Sequence, residues 1–160
     1  MKQKYEKKSC GFTIIELLIV ITIIGVLTSV VLVALGAQRQ KARDSRRVSD
    51  LRQIKTAFDL YLAEASGYPD PSTWVPSTIL ECTGLTIIRI PTDPFFPTYT
   101  YGYSTSGQST VTTVCGGSVT IWQSYRIDFY MESRGAWYYM NDDNAVFDSS
   151  NNPVTLDDLF

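Results

Sequence analysis

Polar and apolar positions change rhythm as this chain proceeds, and each change predicts a different element. Residues 1–11 are polar and basic, with Lys2, Lys4, Lys7 and Lys8 against Glu6. From Phe12 to Ala37 the chain reads FTIIELLIVITIIGVLTSVVLVALGA, 26 residues with a single charge, Glu16. That run exceeds the roughly 20 residues a helix needs to cross a hydrocarbon core of about 30 Å. Residues 12–37 are therefore expected to form a transmembrane helix. An acid inside such a run costs about 2.5–3.5 kcal/mol on insertion scales. No partner for Glu16 stands within the run, which points to one from elsewhere.

Beyond the run the period becomes that of an amphipathic helix. Val48, Leu51, Ile54, Phe58, Tyr61, Leu62 and Ala65 recur in steps of three and four, while Arg46, Asp50, Gln53 and Lys55 fall off the stripe. No proline stands between Met1 and Tyr68, so one helix can continue from the apolar run through 38–66. Gly67 suits a C-cap, and Pro69 prevents resumption. The first half is apolar all round and the second carries one apolar stripe, as in a stalk whose upper half packs on a head. Residues 67–98, rich in proline, read as an irregular connection. From Tyr99 the period is two: Tyr99, Tyr101 and Tyr103, then Tyr125, Ile127, Phe129 and Met131 alternating with Arg126, Asp128, Tyr130 and Glu132. Val111–Val114, Val119–Trp122 and Ala136–Met140 are further strands, with a turn at Gly116-Gly117-Ser118. The expected class is α+β, a long N-terminal helix packed by its second half on an antiparallel sheet over 99–147. The polar tail from Asn141 reads as loop, with a turn at Asn152-Pro153.

The leader supplies an identity for this plan. No A-x-A-like cleavage site follows the apolar run, as it would in a secretory signal, so processing is expected before the run, at Gly11. Gly11-Phe12-Thr13-Ile14-Ile15-Glu16 resembles the signature of the type IV pilin-like family, the type IV pilins and type II secretion pseudopilins. That signature is a short basic leader ending in Gly, then Phe-Thr-x-x-Glu and an apolar helix. Asp50–Pro69, ending in Gly67-Tyr68-Pro69, resembles the same region of the major pseudopilin. So does Pro91-Thr92-Asp93-Pro94 followed by Tyr99 and Tyr101. The resemblance implies that prepilin peptidase cuts between Gly11 and Phe12 and N-methylates Phe12. It implies that Glu16 then pairs with the freed α-amine of Phe12 in a neighbouring subunit. The implied partners are further copies of the chain in a homopolymer, the peptidase, an assembly platform, minor pilins and the membrane; nucleic acid is not expected. Many members carry a proline near Val33, which this chain lacks. The alternative is a single-pass membrane protein with an extracytoplasmic ligand-binding or enzymatic head, which would remain a monomer with an intact Gly11–Phe12 bond.

Charge is segregated. Residues 38–55 carry a net +5 and residues 56–160 a net −9, a basic collar below an acidic head. The collar is expected to meet lipid headgroups or the acidic heads of neighbours. Lysines precede the run and basic residues follow it in nearly equal number, so the resemblance, rather than the positive-inside rule, places the leader in the cytoplasm. Cys10 would leave with the leader, and Cys82 and Cys115 would then form a disulfide in an exported head. The chain has no histidine, which removes the commonest general base. Asp128 and Glu132 share a strand face expected to meet solvent, so no catalytic residue is assigned and the protein is not expected to be an enzyme. Asp142, Asp143, Asn144 and Asp148 offer oxygens for calcium, which major pseudopilins bind in a C-terminal loop. No other cofactor is implied. Gly25 and Gly36 interrupt the apolar helix, where small residues permit close packing.

Overall fold

The structure is a computed structural model that describes residues 12–159; the side chains at 30, 32–34, 108, 112–114 and 157 lie outside the description. The leader, with Cys10 and Gly11, is likewise outside it. Contacts divide the chain into two units, residues 1–38 and 39–160.

Helix α1 runs from Ile14 to Ala65. In the second unit its apolar stripe faces inward: Val48, Leu51, Ile54, Ala57, Phe58, Tyr61 and Ala65 are buried. Leu62, expected on the stripe, is exposed and Ala57 takes its place. The left-handed residue that ends the helix is Ser66, with φ 60°, rather than Gly67. Its N–H donates to the Leu62 carbonyl at 2.8 Å. Gly67 serves a different need. A Cβ built there would meet Ile121 Cβ at 2.8 Å and the Trp122 carbonyl oxygen at 3.0 Å, because the chain passes directly against the sheet.

Among the described residues eight strands follow: β1 (Tyr68–Pro69), β2 (Ile79–Cys82), β3 (Leu85–Arg89), β4 (Gly102–Val114), β5 (Gly117–Met131), β6 (Ala136–Asn141), β7 (Val146–Asp148) and β8 (Pro153–Val154). β5 is the axis of a six-stranded antiparallel sheet. β4 pairs along one side of it, while β1 and β6 share the other. β7 and β8 continue outward from β6. The stretches 119–122 and 125–131, expected as two strands, are one. The β4–β5 loop is Cys115-Gly116, both at positive φ, the two-residue turn whose twist matches its strands; Gly117 belongs to β5.

Alternation along β5 is as the sequence suggests. Tyr125, Ile127, Phe129 and Met131 point into the core with Ile121. Phe58 of α1 sits among aromatic rings, 4.8 Å from Tyr125, 5.3 Å from Tyr103 and 5.8 Å from Trp74. Three expectations fail. Tyr99 and Tyr101 precede β4 rather than belonging to it. The connection 67–98 contains the β2–β3 hairpin, whose four- and five-residue strands have too few inward positions to show a period. The tail is not all loop: β7, β8 and a 3-10 turn over Leu156–Leu159 form in it, and Val146 and Leu159 are buried in the core.

Candidate assembly site and the buried charge cluster

Thr13 and Glu16 open α1 as a reciprocal cap. The Thr13 N–H and hydroxyl each donate to Glu16 Oε2 at 2.9 Å, and the Glu16 N–H donates to Thr13 Oγ1 at 3.3 Å. This is a capping box, in which the acid three residues into the helix satisfies donors that the helix start leaves open. Glu16 thus has a partner inside the run, which its spacing from Thr13 in T-x-x-E already signalled. Behind it the side chains are uncovered: Phe12 is 78% exposed, Ile14 86% and Ile15 67%, and exposure continues on every face to Leu27. Among the described residues, an added Cβ at Gly25 or Gly36 meets no atom within 4 Å.

Among the described residues, no helix is long and apolar enough to cross a membrane. The expected span over 12–37 therefore does not emerge from them. Side chains 30 and 32–34 belong to that run and lie outside the description, and the stretch ending at Ser29 is shorter than roughly 20 residues.

Two residues of the basic collar, Arg43 and Arg47, turn to acids of the same chain rather than outward. Arg47 is fully buried. It donates through Nε and Nη2 to both oxygens of Asp93, at 2.6 and 2.7 Å. Its Nη1 donates to Asp44 Oδ1 at 2.8 Å and lies 2.8 Å from Glu132 Oε1. Arg43 closes on both Glu132 oxygens from the rim. Asp44 in turn accepts the N–H groups of Glu132 and Ser133, at 3.0 and 2.8 Å. Asp93 accepts that of Phe95 at 2.7 Å. Burial pulls the Arg47 pKa down more than any other single influence, yet the bonds to Asp93, Glu132 and Asp44 together leave it raised. The bond from Arg43 holds the Glu132 carboxyl below its ordinary range, against partial burial. Glu132 is therefore not on the solvent face: it lies past the end of β5, in the turn to β6, where it reaches back to α1. Asp50, also expected outside, is buried and accepts the Tyr101 hydroxyl at 2.9 Å. Burial raises its pKa, which the tyrosine bond offsets in part.

The C-terminal acids do not converge. Asp142, Asp143 and Asn144 occupy the β6–β7 turn, whereas Asp148 accepts the N–H groups of Ser150 and Asn152 at 2.9 Å in the next turn. Among the described residues no group of three or more acidic, cysteine or histidine side chains is placed to hold a metal. Cys82 and Cys115 are joined by a disulfide that links the end of β2 to the β4–β5 loop.

Comparison with known proteins bears on the motif. Residues 7–35 match the prokaryotic N-terminal methylation motif. The type II secretion system core protein G of Vibrio cholerae is 30% identical over 107 residues, 61% of this chain and 73% of that protein. That of Aeromonas hydrophila is 29% identical over 56% of this chain and 70% of its own length. The chain belongs to the type II secretion core protein G family of type IV pilin-like proteins. The core protein G of Escherichia coli K12 is 36% identical over 72 residues, 45% of this chain and half of its own length. No solved structure matches.

In this pilin-like chain the match covers Phe12, Thr13 and Glu16, and also Gly11, which lies outside the described residues. The Arg47 cluster escaped the sequence reading. Its one local signal was Asp44 three residues before Arg47, a pair that shares a helix face. Asp93 stood in the Pro-x-Asp-Pro segment without an assigned role, and the structure gives it one as the two-oxygen partner of Arg47.

Proposed function

We propose that this chain is a structural subunit of a type II secretion pseudopilus. In this reading it is made as a membrane-anchored precursor, cut after Gly11 and N-methylated at Phe12 by prepilin peptidase, then polymerised into a helical fibre. The observation that carries the reading is the uncovered apolar helix directly behind the methylation motif. A surface that large and apolar marks an interaction site, and a bilayer and then neighbouring helices would bury it in turn. The names of the relatives favour a secretion pseudopilus over a surface pilus. The subunit does no chemistry in this reading; its surface drives assembly.

Glu16 has two roles in succession. Before assembly it caps its own helix through Thr13. In the fibre it pairs with the α-amine of a neighbouring Phe12, an arrangement that disfavours wrong registers even where its net stabilisation is small. A capping box accepts Gln as well as Glu, so Glu16→Gln keeps the cap and removes the charge. Sheared-fibre yield should collapse in both Glu16→Gln and Glu16→Ala, with leader processing and membrane insertion intact. Normal yield from Glu16→Gln would leave only the capping role. Gly11→Val should leave full-length precursor in the membrane, and mass spectrometry of fibres beginning at Met1 would overturn the processing step.

A further inference from the structure

The outer face of the sheet carries aromatic and charged side chains to which the reading above gives no role. Arg126, Asp128 and Tyr130 of β5 point away from the core set Ile127, Phe129 and Met131. Register places Tyr139 opposite Asp128, Trp137 opposite Tyr130, and Phe147 opposite Tyr139. The rings form two pairs: Tyr130 and Trp137 lie 5.4 Å apart, with Tyr99 stacked on Tyr130 at 4.2 Å, and Tyr139 and Phe147 stack at 5.1 Å. Arg126 lies over the Tyr139 ring at 3.9 Å and donates to Asp128 Oδ1 from Nε and Nη2, at 2.8 and 2.6 Å. Beside them is an open cavity of about 260 Å³ lined by Arg126, Asp128, Trp137, Tyr139, Ser149 and Asn151.

We propose that this face binds a neutral glycan, with a sugar ring packed on Trp137 and its hydroxyls held by the Arg126–Asp128 pair and Asn151. A pyranose offers an apolar C–H face to an aromatic ring and a rim of hydroxyls that both donate and accept. The cavity supplies the complement. Trp137 is 45% exposed. Asp128 Oδ2, Arg126 Nη1 and the Ser149 hydroxyl carry no hydrogen bond among the described residues. Aromatic walls with a few placed polar groups are the usual make-up of a small-ligand site, and strand-borne rings are already ordered, which lowers the entropic cost of binding. Charge argues against a polyanion. The one arginine here is neutralised by Asp128, and residues 56–160 carry a net −9, where nucleic acid would need a basic groove. Tyr, Trp and Arg are also enriched at protein interfaces, so contact with a neighbouring subunit is the competing use of this face.

The test is calorimetric titration of the full chain, in micelles of a sugar-free detergent, with maltohexaose, cellohexaose and hexa-N-acetylchitohexaose, and with oligo-dT as the anionic control. At least one neutral hexasaccharide should bind, and oligo-dT should not. Trp137→Ala should weaken that binding about tenfold, Trp137→Phe far less, and Asp128→Asn should weaken it by several fold. Unchanged circular dichroism establishes that each variant is folded, and Asp128→Asn tests the polar half independently of the tryptophan. Binding of none of the three sugars overturns the proposal, as does wild-type affinity in both Trp137→Ala and Asp128→Asn. Fibre assembly lost in Trp137→Ala, with no sugar binding in wild type, reassigns the face to contact between subunits.

Discussion

Two stretches of one helix invert the usual rule about what is inside. Residues 14–29 of α1 are almost wholly apolar and uncovered, whereas residues 44–50 carry Asp44, Arg47 and Asp50 and bury all three. The lesson is that burial follows partners rather than polarity. Among the described residues the apolar stretch has none within its own unit, and its side chains stay exposed. The charged stretch meets Asp93, Glu132 and Tyr101 from elements far along the chain: Arg47 finds counter-charges there and Asp50 a hydroxyl donor. Sequence hydropathy ranks the two stretches in the opposite order.

The comparison can be broken at either end. The largest effect is expected from Glu16→Gln, which should abolish fibres while leaving the thermal unfolding of residues 39–160 unchanged. A loss of stability there would mean that the two stretches do not act separately. Arg47→Ala should have the converse effect. It strands Asp44 and Asp93 in the core, and removing one partner of a buried pair costs about 3–5 kcal/mol, read as a lower unfolding midpoint in the full chain. A cost under about 1 kcal/mol would show that the cluster is solvated in solution. Next comes the disulfide, which closes a loop with a sequence separation of 33. The chain-entropy relation gives about 3–4 kcal/mol, so Cys82→Ser with Cys115→Ser should lower the melting temperature, and free thiols in exported protein would remove the effect. Gly67→Ala should cost about 1–3 kcal/mol by overpacking, because its Cβ would press on Ile121 and the Trp122 backbone.

The smallest effect is a pH dependence. Glu132 is held below its ordinary value of 4.5 first by Arg43 and then by Arg47. A depressed carboxyl contributes stability that is present above its unfolded pKa and lost as pH falls through the folded one. Asp50 is raised, chiefly by burial, and has the opposite sign: its ionisation costs stability as pH rises. Melting temperature should therefore fall on acidification below about pH 4.5, and Glu132→Gln should flatten that limb. An unchanged acid limb in Glu132→Gln would assign it to the other carboxylates.

The sequence by itself determined what is written at short range. The methylation motif lies within six residues. The stripe from Val48 to Ala65 repeats every three or four, and the β5 alternation repeats every two. Each can be seen because helix and strand geometry turn a local spacing into a face. Even the capping box of Glu16 was present as T-x-x-E, though the acid was read as lacking a local partner. Tertiary structure alone decided the rest. Arg47 finds Asp93 across 46 positions, and Arg43 finds Glu132 across 89. Val146 and Leu159 enter the core from a tail that reads as polar. Gly67 is required by a neighbour at Ile121 rather than by its own backbone. In each case the deciding free energy lies in a contact between distant segments, so the polarity of the residue alone cannot show whether it is buried. A charge is tolerated inside only once the fold has brought counter-charges or hydrogen-bond donors to it.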